Sequence, residues 1–193
     1  MRNIGEIIRR IHGHSLPVLD VRFEDSILAS CSKDTTIKIW NLQTGNLLRT
    51  LEGHKAAVNA IHLQGSILSS ASGDTTVRLW DVNSGALLRE FTGHTRGLAC
   101  VQHNQHYLAS GSNDRTVRIW NIKTGELVRV LEGHTDLVRT LCFDSERLIS
   151  GSYDQSIKVW SMETGEMIMD IKDAHSSWVF HVQMDCSKII SAR

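Results

Sequence analysis

The sequence has little of what marks several large classes of protein. Pro17 is the single proline among 193 residues, so proline interrupts almost none of the extended segments. No stretch approaches the roughly 18 consecutive apolar residues of a membrane-spanning helix. The N-terminal segment MRNIGEIIRRIHGH lacks the apolar core of a secretory signal. No membrane partner is therefore expected.

Net charge and paired cysteines are also lacking. Lys plus Arg and Asp plus Glu each number 21, so the formal charge is zero, which argues against a nucleic-acid partner held by charge alone. The four cysteines lie far apart and form no CxxC motif: Cys31, Cys100, Cys142 and Cys186. This usage is typical of small buried side chains in a reducing compartment and predicts a cytoplasmic or nuclear protein.

What the sequence does contain is a repeat of 40 residues. Gly-His, Ser, Asp and Trp recur in a common phase, which chance does not produce. The members are Gly13-His14, Ser30, Asp34 and Trp40; Gly53-His54, Ser70, Asp74 and Trp80; Gly93-His94, Ser110, Asp114 and Trp120; and Gly133-His134, Ser150, Asp154 and Trp160.

Each repeat has the pattern of four short strands. Segments such as VLDVRF (18–23), SILAS (26–30), TTIKIW (35–40) and NLLRTL (46–51) are rich in Val, Ile, Leu and Thr and are bounded by turn residues. No segment keeps a helical period over 11 or more residues. Four antiparallel strands make one propeller blade, and blades must stack because a lone sheet leaves both faces in water.

Gly-His, an Asp in a tight turn, and then Trp-Asp or Trp-Asn resembles the WD-repeat family over essentially the whole chain. Only Trp80-Asp81 is the literal pair; Trp-Asn and Trp-Ser elsewhere are common variation. The resemblance implies an all-β WD-repeat β-propeller. It is strongest to the C-terminal propeller of F-box/WD-repeat ubiquitin-ligase substrate receptors, through the short turns between first and second strands, SGSYDQSIKVW (150–160) and AHSSWVFHVQMDCSKIISA (174–192).

The phase of the repeat predicts how the single propeller domain, 1–193, is divided. We expect four complete four-stranded blades with partial blades at both ends, as in a fragment of a seven-bladed propeller; closure as a five-bladed ring is the alternative. The predicted units are an outer strand of a preceding blade at 1–11, complete blades at 12–51, 52–91, 92–131 and 132–172, and the start of another blade at 173–193.

His, Ser and Asp in one repeat suggest nucleophilic catalysis. However, a catalytic triad is made once, whereas this set occurs four times and always with a Trp. The resemblance implies instead that His14, Ser30, Asp34 and Trp40, and their equivalents, form structural hydrogen-bond chains. No enzyme is predicted, and no zinc-ligand spacing or phosphate loop suggests a metal or cofactor. The remaining histidines are interpreted as surface or strand residues: His12, His62, His103, His106 and His181.

In WD-repeat proteins one propeller face carries most ligand contacts. The residues there flank the first Val of each inner strand and precede the repeat Asp. Arginine and aromatic side chains are the usual binding anchors. The candidates for partner binding are therefore Arg139, Tyr153, Trp178 and Phe180, with Arg96, Lys33 and Asn59 as secondary contacts.

The resemblance implies a protein-interaction scaffold that recognises degrons, the signals that mark proteins for degradation, for an SCF-type ubiquitin ligase. The ligase core would be recruited by an F-box upstream of Met1, which these residues do not contain. A general WD-repeat scaffold in signalling, transcription or RNA processing is the alternative. Arg139, Arg96 and Lys33 are few for gripping a phosphate, so the need for phosphorylation stays open.

Overall fold

The computed structural model describes residues 9–172, 175–185 and 188–193. All regular structure in these ranges is β-strand. None of the described residues forms a helix, and so none forms a helix able to cross a membrane. The all-β prediction is confirmed.

Sixteen strands form four antiparallel sheets in which the strands follow one another in chain order. The first and second sheets contain β1 (Val18–Glu24), β2 (Ile27–Ser32), β3 (Ile37–Asn41) and β4 (Leu47–Leu51), and β5 (Val58–Gln64), β6 (Ile67–Ser72), β7 (Val77–Asp81) and β8 (Leu87–Phe91). The third and fourth contain β9 (Leu98–His103), β10 (Tyr107–Ser112), β11 (Val117–Asn121) and β12 (Leu127–Leu131), and β13 (Val138–Phe143), β14 (Arg147–Ser152), β15 (Ile157–Ser161) and β16 (Met167–Ile171). A two-stranded sheet of β17 (His181–Met184) and β18 (Ile189–Ala192) follows.

The sheets stack through their first strands. Strand β1 contacts β5, β5 contacts β9, β9 contacts β13, and β13 contacts β17. The hydrophobic core therefore lies between neighbouring sheets: Ile37 and Ile39 of the first sheet pack with Ile61 and Leu68 of the second. Burial of this apolar area supplies the main driving force for stacking. The sheets are the blades of a WD-type propeller, as the repeat predicted.

Burial falls from the second strand of each sheet to the fourth. Strand β6 is buried at five of its six positions because both of its faces meet other sheets. Its sequence, ILSSAS, accordingly has small side chains at most positions. Strand β8 lies at the outer rim, where Leu87 and Leu88 are about half exposed and Phe91 alone is buried.

Arginines at the outer rim connect each sheet to the next. Arg49 Nε donates to the Asn83 carbonyl at 2.7 Å, and Arg89 Nη1 donates to the Thr124 carbonyl at 2.9 Å. Arg9 makes the equivalent contact with the Thr44 carbonyl. Most of the outer strand predicted at 1–11 falls outside the described residues, and residues 9–11 are described without strand structure.

Candidate functional site

A chain of hydrogen bonds crosses the interior of every four-stranded sheet. In the second sheet, Nε1 of Trp80 donates to Oγ of Ser70 at 2.9 Å. The same oxygen lies 2.8 Å from Nε2 of His54, and Nδ1 of His54 lies 2.8 Å from Oδ2 of Asp74. The chain joins the third strand, the second strand, the segment before the first strand and the turn before the third strand.

The geometry repeats almost unchanged in the other sheets. The Trp–Ser distances are 2.9, 3.2 and 2.8 Å at Trp40, Trp120 and Trp160, and the Ser–His distances are 2.8, 2.9 and 2.8 Å at His14, His94 and His134. The His–Asp distances are 2.8, 2.7 and 2.8 Å at Asp34, Asp114 and Asp154. In the two-stranded sheet, Nε2 of His175 lies 2.8 Å from Oγ of Ser191.

The direction of each hydrogen bond follows from the groups at the two ends. An indole nitrogen only donates and a carboxylate only accepts, so Nδ1 of the histidine carries the proton that it donates to Asp. Nε2 is then an acceptor, and the serine hydroxyl accepts from Trp and donates to His. Every donor within such a chain is paired, which lets four polar side chains enter an apolar interior without the penalty of an unpaired group.

A further residue of the chain was missed from the sequence. The hydroxyl two positions after the Asp donates to Asp Oδ1 at 2.6–2.7 Å in all four sheets, from Thr36, Thr76, Thr116 and Ser156. Burial alone would raise the pKa of Asp74, but hydrogen bonds from the backbone of Lys55 and from Thr76 lower it to about 2. The signal was present, because a hydroxyl residue recurs at this position with the same period.

The glycine before each histidine lies against the indole ring. A Cβ atom at Gly13 would come within 2.6 Å of Cη2 of Trp40. At Gly93 the equivalent atom would approach Trp120 to 3.3 Å, and the φ angle of +145° also favours glycine. The Gly-His pair is therefore required by the close approach of the backbone to the tryptophan.

The candidate partner-binding residues lie elsewhere, around a cavity of about 540 Å³ at the start of the inner strands. Asn59, Arg139 and Tyr153 line it together. Asn59 Nδ2 donates to the Leu98 carbonyl at 2.7 Å, and Arg139 Nη1 donates to the Ala99 carbonyl at 3.1 Å. These bonds hold both side chains across the joints between sheets, in fixed positions at the cavity wall.

Three aromatic rings form a group beside this cavity. Tyr153 and Trp178 stack in parallel, with ring centroids 4.4 Å apart and an interplanar angle of 9°. Phe180 meets both rings edge-on, at 5.8 Å from Tyr153 and 6.2 Å from Trp178. Trp178 and Phe180 are 48% and 43% exposed, which is unusual for such large apolar side chains.

The two remaining candidates are placed differently. Arg96 is exposed and lines a polar depression that adjoins the cavity, since the two share Asn113 and Asp136. Lys33 is exposed in the turn before β3, where its backbone N–H donates to the Pro17 carbonyl at 3.0 Å. The structure therefore joins six of the seven candidates into one region and leaves Lys33 apart.

Groups suited to covalent or metal chemistry are scarce in the described ranges. Burial raises the pKa of Cys31 and of Cys100 to about 12, which keeps both thiols protonated at neutral pH. No cluster of three or more His, Cys, Asp or Glu side chains in the part of the chain that the structure describes is arranged to hold a metal ion.

The family model described as "WD domain, G-beta repeat" matches residues 5–41, 45–81, 85–121 and 125–161, which is more than half of the chain. The chain therefore belongs to the WD-repeat family. Proteins of this family are generally non-enzymatic scaffolds for protein interaction.

Three curated proteins share a short segment with the chain. The probable E3 ubiquitin ligase complex SCF subunit sconB of Talaromyces marneffei is 50% identical over 38 residues, and those of Emericella nidulans and Neosartorya fischeri are 53% identical over 38 residues. Each match covers 20% of this chain and 6% of the relative. The matches support the resemblance to ubiquitin-ligase receptors.

Among solved structures, the crystal structure of the computationally designed Ika8 protein is similar to this chain. The TM-score is 0.86 with 36% sequence identity, and the match covers 94% of this chain and 57% of the designed one. This similarity confirms the propeller architecture.

Proposed function

We propose that the chain binds a peptide segment of a protein partner at the region formed by the cavity of Asn59, Arg139 and Tyr153 and by the rings of Trp178 and Phe180. The observation that carries this proposal is the exposed aromatic group at the edge of a preformed cavity. Exposed aromatic side chains beside an arginine are the composition of binding hot spots, in which a few residues supply most of the binding energy.

The side chains of the region indicate which groups the bound peptide contains. An apolar side chain packs against the edge of the stacked pair and Phe180, where it covers ring surface that is now in water. Arg139 uses one N–H for the Ala99 carbonyl. Its remaining N–H groups make no hydrogen bond within the described residues, and they suit a backbone carbonyl or a carboxylate of the peptide. Arg96, in the adjoining depression, suits a second acidic group.

The finer proposal is that this recognition serves an SCF-type ubiquitin ligase, with the bound peptide acting as a degron. The matches to three SCF subunits support it, although they span only 6% of those proteins. The second candidate is a general scaffold in a signalling, transcription or RNA-processing complex, which membership in the WD-repeat family alone favours. The free thiols of Cys31, Cys100 and Cys142 favour a reducing compartment, the cytoplasm or nucleus, for either role.

The binding proposal is tested by selecting peptides against the purified protein from a random library and measuring their dissociation constants by calorimetry. We expect Arg139→Ala and Trp178→Ala each to weaken a selected peptide about 10- to 100-fold, as for hot-spot residues. Lys123→Ala, an exposed cation in a turn between β11 and β12, is the matched control and should leave affinity unchanged. Selected peptides that bind both variants as tightly as the parent would contradict the proposal.

The ligase role has its own test. The endogenous protein is purified from cells, with and without Arg139→Ala, and the subunits of the SCF core are quantified by mass spectrometry. We expect the core to co-purify with both forms, while ubiquitylation of the bound partner is lost in the variant. Partners recovered without any SCF subunit would favour the general scaffold.

A further inference from the structure

The joint between the second and third sheets has histidine and serine at two positions where the other sheets have apolar residues. We call it the second seam, defined by His62 of β5, Ser69 of β6 and His103 of β9. Where the third sheet has His103, the other three sheets have an apolar residue at the same repeat position: Phe23, Leu63 and Phe143. Where the second sheet has Ser69, the others have Ala29, Ala109 and Ile149. The apolar character of the repeat is thus broken at two positions of one seam.

The three side chains contact one another across the seam. Nδ1 of His62 lies 3.1 Å from Nδ1 of His103, and Oγ of Ser69 lies 2.8 Å from the same His103 nitrogen. The backbone N–H of His103 also donates to Nδ1 of His62 at 3.4 Å. Both histidines are neutral at physiological pH, because burial lowers the pKa of His62 to about 4 and that of His103 to about 3.

These contacts place the protons on the two rings. Nδ1 of His62 accepts from the His103 backbone, so it carries no proton. We assign the proton of the hydrogen bond between the two Nδ1 atoms to Nδ1 of His103, and Oγ of Ser69, 2.8 Å away, is then a second acceptor of the same N–H. A neutral imidazole has one N–H, which leaves Nε2 of His103 as a bare acceptor.

The same backbone contact recurs at the next joint and supports this assignment. Between the third and fourth sheets, Oε1 of Gln102 accepts from the Phe143 backbone N–H at 3.1 Å. Gln102 occupies the position of His62 one repeat later. An amide oxygen is always an acceptor, so this contact with the backbone N–H needs a lone pair on the side chain, as deduced for His62.

Nε2 of His103 is buried and has no hydrogen-bond partner among the described residues. The residue is only 4% exposed. A buried acceptor without a partner destabilises the structure, so binding of a group that donates to it is favoured.

His103 lines a cavity of about 440 Å³ that opens at the turns between the first and second strands of these sheets. The walls are apolar, from Ile67, Leu79 and Ile122, and the rim is formed by uncharged residues, Gln64, Gly65, Asn104 and Gln105. None of the described residues that line the cavity carries a charge, so its chemistry suits a neutral ligand.

We propose that this cavity binds a small, neutral, apolar group bearing one N–H or O–H donor, as in an indole or phenol ring, with Nε2 of His103 as the acceptor. The site is separate from the proposed peptide-binding region. Asn59 lines that region and Gln64 lines this cavity, from opposite ends of strand β5. The ring can belong to a free small molecule or to a Trp or Tyr side chain of a protein.

The test compares indole with 1-methylindole, which has nearly the same shape but no N–H. Binding to the whole chain is followed by NMR shifts of backbone amides near Gly65 and Gln105. We expect saturable binding of indole that is at least tenfold tighter than that of 1-methylindole. N-acetyltryptophanamide is the third probe: binding as tight as that of indole indicates a protein side chain as the source, and weaker binding indicates a free small molecule.

Two variants test whether binding occurs at this cavity. Each introduces a residue that another repeat of the chain has at the same position. His103→Phe gives the third sheet the residue that the fourth sheet has at the same repeat position, Phe143. This variant should bind indole and 1-methylindole equally. Ile67→Tyr places here the residue found at Tyr107 and should block both probes by filling the cavity. Absence of saturable indole binding, equal binding of the two probes to the parent, or binding unchanged in both variants overturns the proposal.

Discussion

The second seam and the joint that follows it, between the third and fourth sheets, share one backbone contact but differ in the side chain that faces it. In both, a polar side chain accepts a backbone N–H of the next sheet: His62 in one and Gln102 in the other. The facing residue is His103 in the second seam and Phe143 in the third seam, the name that we give to the later joint. The difference shows that the repeat determines the backbone of each joint, while a single substitution determines whether the joint is apolar or also contains a buried polar atom.

Removing the facing side chain gives the largest expected difference between the two seams. Phe143 is 8% exposed and packs with Leu148 and Trp160, so Phe143→Ala should lower the free energy of unfolding by about 3–5 kcal/mol. His103→Ala should cost only about 1–2 kcal/mol, because it also removes an unpaired acceptor. Urea denaturation at pH 7.5 measures both.

Phe23→Ala is the matched control for this pair. Phe23 has the same repeat position as Phe143 but is 72% exposed, and its truncation should change stability by no more than about 0.5 kcal/mol. Equal losses at Phe143 and Phe23 would contradict the assignment of the core to the spaces between sheets.

The tryptophans test what the two seams share. Trp120 packs in the core at the second seam and Trp160 packs in the core at the third, and each donates to a buried serine. Trp120→Phe and Trp160→Phe should each cost about 1–3 kcal/mol, because each leaves one serine hydroxyl without its donor. Thermal melts of the two variants should shift alike; a shift at one seam alone would mean that the hydrogen-bond chains are not equivalent.

The smallest effect is the pH dependence of stability that the second seam contributes. The pKa of His103 is about 3 in the folded chain and about 6.5 when unfolded, so below pH 6.5 the unfolded chain binds a proton that the folded chain does not. Stability therefore falls as the pH is lowered from 7.5 to 5. The parent should lose about 1–2 kcal/mol more than His103→Phe over this range, as measured by urea midpoints.

Equal slopes for the parent and His103→Phe would show that His103 is not held neutral in the fold. Gln102→Ala is the control at the third seam, where the altered side chain does not titrate, and its slope should match that of the parent.

Much of the fold could be predicted from the spacing of a few residues. Gly-His, Asp and Trp in one phase imply sheets of equal design, and the hydrogen-bonded chain of Trp80, Ser70 and His54 has the geometry that their chemistry requires. The hydroxyl of Thr76 is equally periodic but was not predicted to bond Asp74, because threonine is common in strands for reasons of packing alone.

The candidate binding region could be predicted only in part from the sequence. Arg139, Tyr153, Trp178 and Phe180 could be named because they interrupt the repeat with anchor-type side chains. Their mutual placement could not be predicted, because the parallel stack joins Tyr153, which follows β14, to Trp178, which precedes β17 of the next sheet. His103 was interpreted only as a surface or strand residue, although its departure from Phe and Leu at that position was the available signal.

The sequence by itself determined the repeat, the strands within it and the polar chain of each sheet, because these depend on neighbours within one 40-residue unit. Only the tertiary structure decided what each unit buries. Phe23 and Phe143 occupy the same repeat position, yet one is 72% exposed and the other 8%. The physical reason is that a sheet's face is buried by the sheet that packs against it, and no residue within the unit specifies that neighbour.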